Sequence, residues 1–443
     1  MTARTRRLAI VGHPWDTVVA QSTSSIVIIA YQLARHLPPH WRLTLYGRHR
    51  PGQKRREADG ENIEFKRFSV RHRPPALLET LLGILACYMK SRIYYHMSYL
   101  YHTIYALKVA LSIRASKYDV VIVNNFPQFA SIIRMFNPSA TICLSMHCEW
   151  LSQFALARTE RRLRDLDLII GCSEYITEAV RKCYPAIAAR CHTVHDGVDT
   201  NLFCPAPDRS APNDGTERLL YVGRLIPEKG IHVLIQAFKI LAESRPTLRL
   251  DLVGATNPGR YLYLCPDLKD PAIASMVEAF YGNRLSDMVR KQLTRGGESY
   301  LDELAILAGG DERIVFHGAA SHAETIDFYR RAAMLVFPSV WQEPSGLPTF
   351  EAQACGTPVV STFSGGIPEY VENGRTGILV ARGEARELAL AIAQVLGNRD
   401  LARAMGEAGR RRVVEHFSWA VVSERLADLI ESLSPVDAGQ RPE

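Results

Sequence analysis

The sequence predicts an α/β protein built from two Rossmann-like, doubly wound parallel-sheet domains. Three features predict it. Short β-branched runs alternate with helical patterns almost from end to end. The alternation breaks once, at Pro205-Ala-Pro-Asp-Arg-Ser-Ala-Pro-Asn-Asp-Gly215, a stretch with almost no large apolar residue that reads as a linker. It then restarts at Arg218. A chain of 443 residues is too long for one ordinary core and sufficient for two α/β domains.

The first domain, residues 1–204, has expected strands at Arg7–Gly12, Arg42–Gly47, Glu64–Val70, Tyr118–Asn124, Thr141–His147, Leu168–Cys172 and His192–His195. Its expected helices are Ile26–Leu37, one around 77–114, and Ser173–Cys183. After a linker at 205–217, the second domain, 218–417, opens with strand Arg218–Gly223, helix Lys229–Ser244 and strand Arg249–Gly254. Strands follow at Arg313–Phe316, Met334–Pro338, Pro358–Ser361 and Gly377–Val380. Residues 257–310 are too long for a simple connection and read as an insertion, helical over Leu285–Leu307. A final helix at 418–433 is a candidate to cross back to the first domain.

The net charge of +7 is unevenly spread. Residues 1–115 carry 18 Lys/Arg against 6 Asp/Glu, and the remainder is slightly acidic. Such a field suits an anionic membrane surface or a phosphorylated acceptor; a solvated basic face is the other reading. No partner role for nucleic acid is expected. Ala76–Met89 is too short to span a bilayer, and with Lys90 and Arg92 it reads either as an interfacial helix or as one packed on its own sheet. Arg4, Arg6 and Arg7 lead into only a short apolar stretch, and no C-x-x-C pair occurs among the nine cysteines. The expectation is a cytoplasmic protein with reduced thiols, stationed peripherally at the inner face of the membrane.

The residues that carry chemistry follow strands, where open α/β sheets bind ligands. After the first strand of the second domain come Gly223-Arg224 and Lys229-Gly230, placing two cations near a helix start. A cation there opposes the helix dipole, which raises the case for an anion-binding role; a solvated surface pair is the equal alternative. After Met334–Pro338 come Glu343, Ser345, Gly346, Leu347, Pro348 and Glu351. Gly346 and Pro348 suit a helix start with free N–H groups. The two glutamates, eight apart, are placed to face one cleft. Asp165-Leu-Asp167 matches a metal-binding Asp-x-Asp but reads as a helix end and turn.

These segments resemble the family 4 retaining glycosyltransferases of the GT-B fold. The likeness rests on YVGRLIPEKG, VFHGAAS, PSVWQEPSGLPTFEAQACGTPVVSTFSGGIPEYVENGRTGILV and HFSW in the second domain, and on GCSEYITEAV and HDGVDTNLF in the first. It implies two domains facing across a cleft. It also implies transfer of a hexosyl unit, with retention, from a nucleotide-diphosphate sugar to a glycan, lipid-linked or small-molecule acceptor in polysaccharide or glycoconjugate biosynthesis. In that scheme Arg224 and Lys229 hold the donor diphosphate and Glu351 the ribose hydroxyls. Glu343, with the backbone of Ser345 to Pro348, holds the transferred sugar and phosphates, and His147 contacts the sugar. Taken without the resemblance, His147 reads as structural. No metal and no cofactor are expected.

The sequence departs from the family in three places, one of them the 257–310 insertion, which is longer than usual. Ser24 and Ser25 stand where a glycine-rich loop is usual, and Ser345 replaces a common aromatic residue. A GT-B-like nucleotide-sugar epimerase or phosphorylase, and a non-catalytic scaffold of a polysaccharide assembly, are the alternative readings.

Overall fold

Leu8, Ala9, Ile10 and Val11 are all buried, with Leu8 and Ile10 in one apolar cluster and Ala9 and Val11 in another. A strand whose alternate side chains enter two cores is covered on both faces, as parallel sheets are. The computed structural model describes residues 5–20, 22, 24–69, 102–153, 157–207, 215–255, 270–281 and 298–433.

The chain divides into two units, Met1–Gly197 with Trp419–Glu443, and Val198–Ser418. In the first unit β1 is Arg6–Val11, α1 Ser25–His36, β2 Trp41–Arg48, β3 Arg56–Asp59 and β4 Ile63–Phe68. Then come α2 Thr103–Ser116, β5 Val120–Asn124, α3 Pro127–Phe136 and β6 Thr141–Met146. Short helices α4 (Trp150–Gln153) and α5 (Ala157–Leu163) precede β7 Leu168–Gly171, α6 Glu174–Cys183 and β8 Cys191–Thr193. The sheet order is β3-β4-β2-β1-β5-β6-β7-β8, parallel except for the edge hairpin β3–β4.

The second unit runs β9 Glu217–Val222, α7 Ile231–Ala242, β10 Leu248–Val253, α8 Pro271–Tyr281, α9 Glu298–Ala308 and β11 Ile314–Gly318. It continues through α10 Thr325–Arg331, β12 Met334–Phe337, α11 Leu347–Ala354, β13 Val359–Thr362, α12 Ile367–Tyr370 and β14 Gly377–Val380. Helices α13 (Ala385–Leu396) and α14 (Arg399–His416) follow. Its all-parallel sheet has the order β11-β10-β9-β12-β13-β14. The last helix, α15 (Trp419–Ser432), returns to the first unit, where Leu426, Ala427 and Ile430 join the core beneath α1.

Several boundaries differ from the sequence reading. The units part at Gly197, not in the linker, of which 208–214 lie outside the described residues. Residues 198–204 are fastened to the second unit: Val198 N–H donates to Phe417 O, Phe203 is buried in that core, and Arg410 holds the carbonyls of Thr200 and Phe203. The edge strand β3 and helix α3 were not expected. The candidate interfacial segment Ala76–Met89 lies outside the described residues, as do residues 285–297. Tyr105 is buried under the first sheet with its hydroxyl donating to Gly12 O. Among the described residues no helix is long and apolar enough to cross a membrane.

Candidate active site

The second sheet reverses its strand order between β9 and β12, and open α/β sheets bind ligands beyond the strand ends at such a point. The loops after these two strands are tied backbone to backbone. Glu228 O accepts the N–H groups of Val340 and Trp341 at 3.0 and 3.1 Å. Gly230 permits the approach: its φ is 70°, and a Cβ there would lie 2.0 Å from Pro338 O.

This closure brings Lys229 onto Glu343. The ammonium donates to the two carboxylate oxygens at 2.6 and 2.8 Å, and Ser339 Oγ donates to Oε1. The Glu343 backbone is held as well, its N–H on Ser364 Oγ and its carbonyl on the N–H of Gly366. Glu343 is 3% exposed, so its charge depends on these partners. Lys229 ends the turn Pro227–Lys229, and Gly230 caps α7. The cation at a helix start that the sequence left unbalanced is therefore balanced by a carboxylate. Arg224 is exposed on the same loop.

Glu351 lies within α11 and is already bonded at both oxygens, by His322 Nε2 and by Tyr329 Oη, each at 2.7 Å. Burial opposes a charge on His322, but the Glu351 carboxylate, its hydrogen bond and Asp199 outweigh it and hold the imidazole above its usual value. Burial, then Glu351, pushes the Tyr329 hydroxyl well up. Gly346 caps α11 with φ 81°, Leu347 and Pro348 form its first turn, and Ser345 is buried before it.

The insertion reaches this loop. Arg382 Nη2 donates to Asp270 Oδ2, beside the start of α8, while its Nη1 holds Val340 O. Gln342 Nε2 also meets Asp270 Oδ2 at 3.3 Å. Deeper in, His232 Nδ1 lies 2.9 Å from Tyr300 Oη, and burial pushes this imidazole down to about 4.

The first sheet reverses between β1 and β5. Ser24 and Ser25 open α1 there, but the Ser24 hydroxyl does not cap the helix; it donates to Asp16 Oδ2 at 3.2 Å. Ser25 is exposed. His147 follows β6, with Nε2 3.0 Å from Ser145 Oγ and Nδ1 3.4 Å from Asp196 Oδ1, an ion-pair distance rather than a hydrogen bond.

Two family descriptions cover nearly all of the chain: Glycosyltransferase Family 4 matches residues 26–202, and Glycosyl transferases group 1 matches residues 206–412. The chain belongs to the family 4 glycosyltransferases. This glycosyltransferase is 24% identical to spore coat protein SA of Bacillus subtilis over 74% of its own length and 82% of that protein. It is 31% identical to alpha-maltose-1-phosphate synthase of Mycolicibacterium smegmatis over 60% of its length, a match spanning 64% of that enzyme. Its structure is similar to sucrose-phosphate synthase from Thermosynechococcus elongatus, with a TM-score of 0.68 at 22% identity, covering 97% of this chain and 99% of the other. It is also similar to HepE of Anabaena solved with UDP-glucose, with a TM-score of 0.64 at 19% identity, covering 96% and 100%. The two parallel-sheet units are those of the GT-B fold.

The glycosyltransferase thus holds Lys229, Glu343, Ser345, Gly346, Leu347 and Pro348 on facing loops of one unit, and, in the other, Ser24 at the switch point and His147 on the loop after β6, the next strand beyond β5. Sequence reading missed the partners: Ser339 and Ser364 around Glu343, His322 and Tyr329 around Glu351. The hydroxyls carry no motif of their own; His322 follows the quoted VFHGAAS segment and was the one accessible signal. Asp167 of the Asp-x-Asp is spent on Arg134 Nη2 and Ile142 N–H, so it holds a turn. His147, Cys172 and Asp196 offer ligand atoms within 4.8 Å of one another.

Proposed function

We propose that this glycosyltransferase moves a hexosyl unit from a nucleoside-diphosphate sugar to a glycan, lipid-linked or small-molecule acceptor, with retention and without a metal. The observation that carries the reading is the buried Lys229–Glu343 pair at the switch point of the second sheet. An ammonium has three N–H donors, and two of them serve Glu343. The third is available to a diphosphate oxygen, with exposed Arg224 beside it on the same loop. These cations offset the charge that develops on the leaving group. Glu343 accepts hydroxyl groups of the sugar, Glu351 faces the ribose, and His147 contacts the transferred sugar. The bond from the anomeric carbon to the diphosphate breaks as the acceptor oxygen bonds on the same face, and the acceptor proton passes to the departing phosphate oxygen. In support, two solved structures of this fold are described with UDP and glucose or with UDP-glucose.

Thermal shift against UDP, GDP and ADP identifies the nucleotide: a ligand at 100 times its Kd adds about 2.7 kcal/mol. Turnover of the corresponding sugar nucleotide, followed by NMR at the anomeric proton, tests retention. An inverted product, or donor isomerised without any acceptor, rejects the proposal.

A further inference from the structure

One side chain joins the loops that follow β1, β5 and β6. Asn125 comes directly after β5 in the left-handed region, with φ 61°. Asparagine is among the few residues besides glycine that settle there. Its N–H donates to Ser145 O at 2.8 Å. Its Oδ1 accepts the backbone N–H of His147 at 2.7 Å, which fixes the orientation of the amide. Nδ2 therefore faces His13 Nε2, 3.0 Å away, and can only donate. His13 must then carry its proton on Nδ1, which lies 3.3 Å from Asp16 Oδ2. The same Asp16 oxygen accepts from Ser24 Oγ. Asn125 and His13 are 3% and 6% exposed, so water has little access to these bonds.

We propose that Asn125 is a positioning residue that locks His147 to the His13–Asp16–Ser24 loop across the switch point of the first sheet. The inference rests on the reading that His147 contacts the transferred sugar. The backbone turn needs the left-handed conformation, and the polar link needs an acceptor and a donor on one short side chain. Glycine meets the first need alone. Aspartate keeps the acceptor for His147 but has no donor for His13, whose Nε2 must then be protonated while Nδ1–H still faces Asp16.

Asn125→Gly and Asn125→Asp are compared with His147→Ala in steady-state assays with whichever of UDP-, GDP- or ADP-glucose turns over. The expected result is a fall in kcat of about tenfold in each Asn125 variant, the cost of a slightly misplaced contact. Donor KM stays within about twofold, since the diphosphate cations are untouched. Asn125→Gly adds little on top of His147→Ala, as residues in one network are not additive. Histidine 15N spectra show His13 Nε2 unprotonated in the unmodified chain and protonated in Asn125→Asp. Where Asn125→Gly fails to fold, the near-isosteric Asn125→Asp decides. Full kcat in the Asn125 variants beside an impaired His147→Ala, or additive losses, overturns the inference and leaves the His147 reading standing. Full activity in His147→Ala removes both.

Discussion

Lys229 and Glu343, 114 residues apart in sequence, form a two-contact ion pair in which the carboxylate is almost fully buried. In the proposed reading, donor binding shares Lys229 between a resident carboxylate and an arriving diphosphate, and Arg224, exposed on the same loop, is the second cation for that diphosphate.

The two cations consequently respond differently to removal. Arg224→Ala lowers kcat/KM for the donor roughly 10- to 150-fold, as expected for a charge-assisted contact of about 1.5–3 kcal/mol, with no change in Tm. Lys229→Ala loses donor use too, and also stability, because a buried carboxylate left without its partner costs about 3–5 kcal/mol. The double variant Lys229→Met/Glu343→Gln recovers Tm but not activity. A Lys229→Ala protein as stable as the parent contradicts the pairing.

Stability has two histidine limbs of opposite sign. His232, held at about 4 by burial, is neutral in the fold while the unfolded chain takes up its proton near 6.5. The unfolded state binds more protons between those values, so stability falls as pH drops from about 6.5 to about 4, by roughly 3 kcal/mol in all. His322 is raised by Glu351 beyond the opposing effect of burial. Its contribution is complete below about 6.5 and disappears as pH rises through the raised value. Denaturant midpoints across pH should flatten on the acid side in His232→Asn and on the alkaline side in His322→Asn. Unchanged profiles in both would refute the assignment.

Activity should survive chelation. Asp167 is committed to Arg134 and a backbone amide, whereas the His147–Cys172–Asp196 group, with ligand atoms within 4.8 Å of one another, is the place where a metal would show. Turnover in excess EDTA equal to that in buffer is the expected outcome. Loss in EDTA, regained with a divalent ion and abolished by Cys172→Ser, would place a functional metal there.

Docking on an anionic membrane is expected from the charge excess of 12 within residues 1–115. Each Lys or Arg near such a surface contributes about 1 kcal/mol, and salt removes that attraction. Flotation should carry the protein with vesicles of phosphatidylglycerol but not of phosphatidylcholine alone, and high salt should release it. Absence from both vesicle fractions, with full turnover on a soluble acceptor, would exclude this station.

The periodicity of the sequence determined the strands of both sheets to within a residue or two, as at β9, β10 and β14, because alternate or continuous apolar runs leave a parallel strand one choice of environment. It determined the helix that closes the chain, through Val422, Leu426 and Ile430. It missed β3, Arg56–Asp59, three of whose four residues are charged and which is held by edge pairing with β4 rather than by burial. It missed α3, although Pro127 at its first turn and Phe129, Ala130 and Ile133 on one buried face carry helical spacing. The candidate site was legible as motifs, loop by loop. Which groups touch was not: Lys229 meets Glu343 only because the strand order sets β9 beside β12, and Glu351 meets His322 and Tyr329 only because α10 comes to α11. Periodicity reports the environment of one segment at a time, whereas a hydrogen bond between segments depends on how the sheet is ordered. That order was decided by the packing of the whole unit.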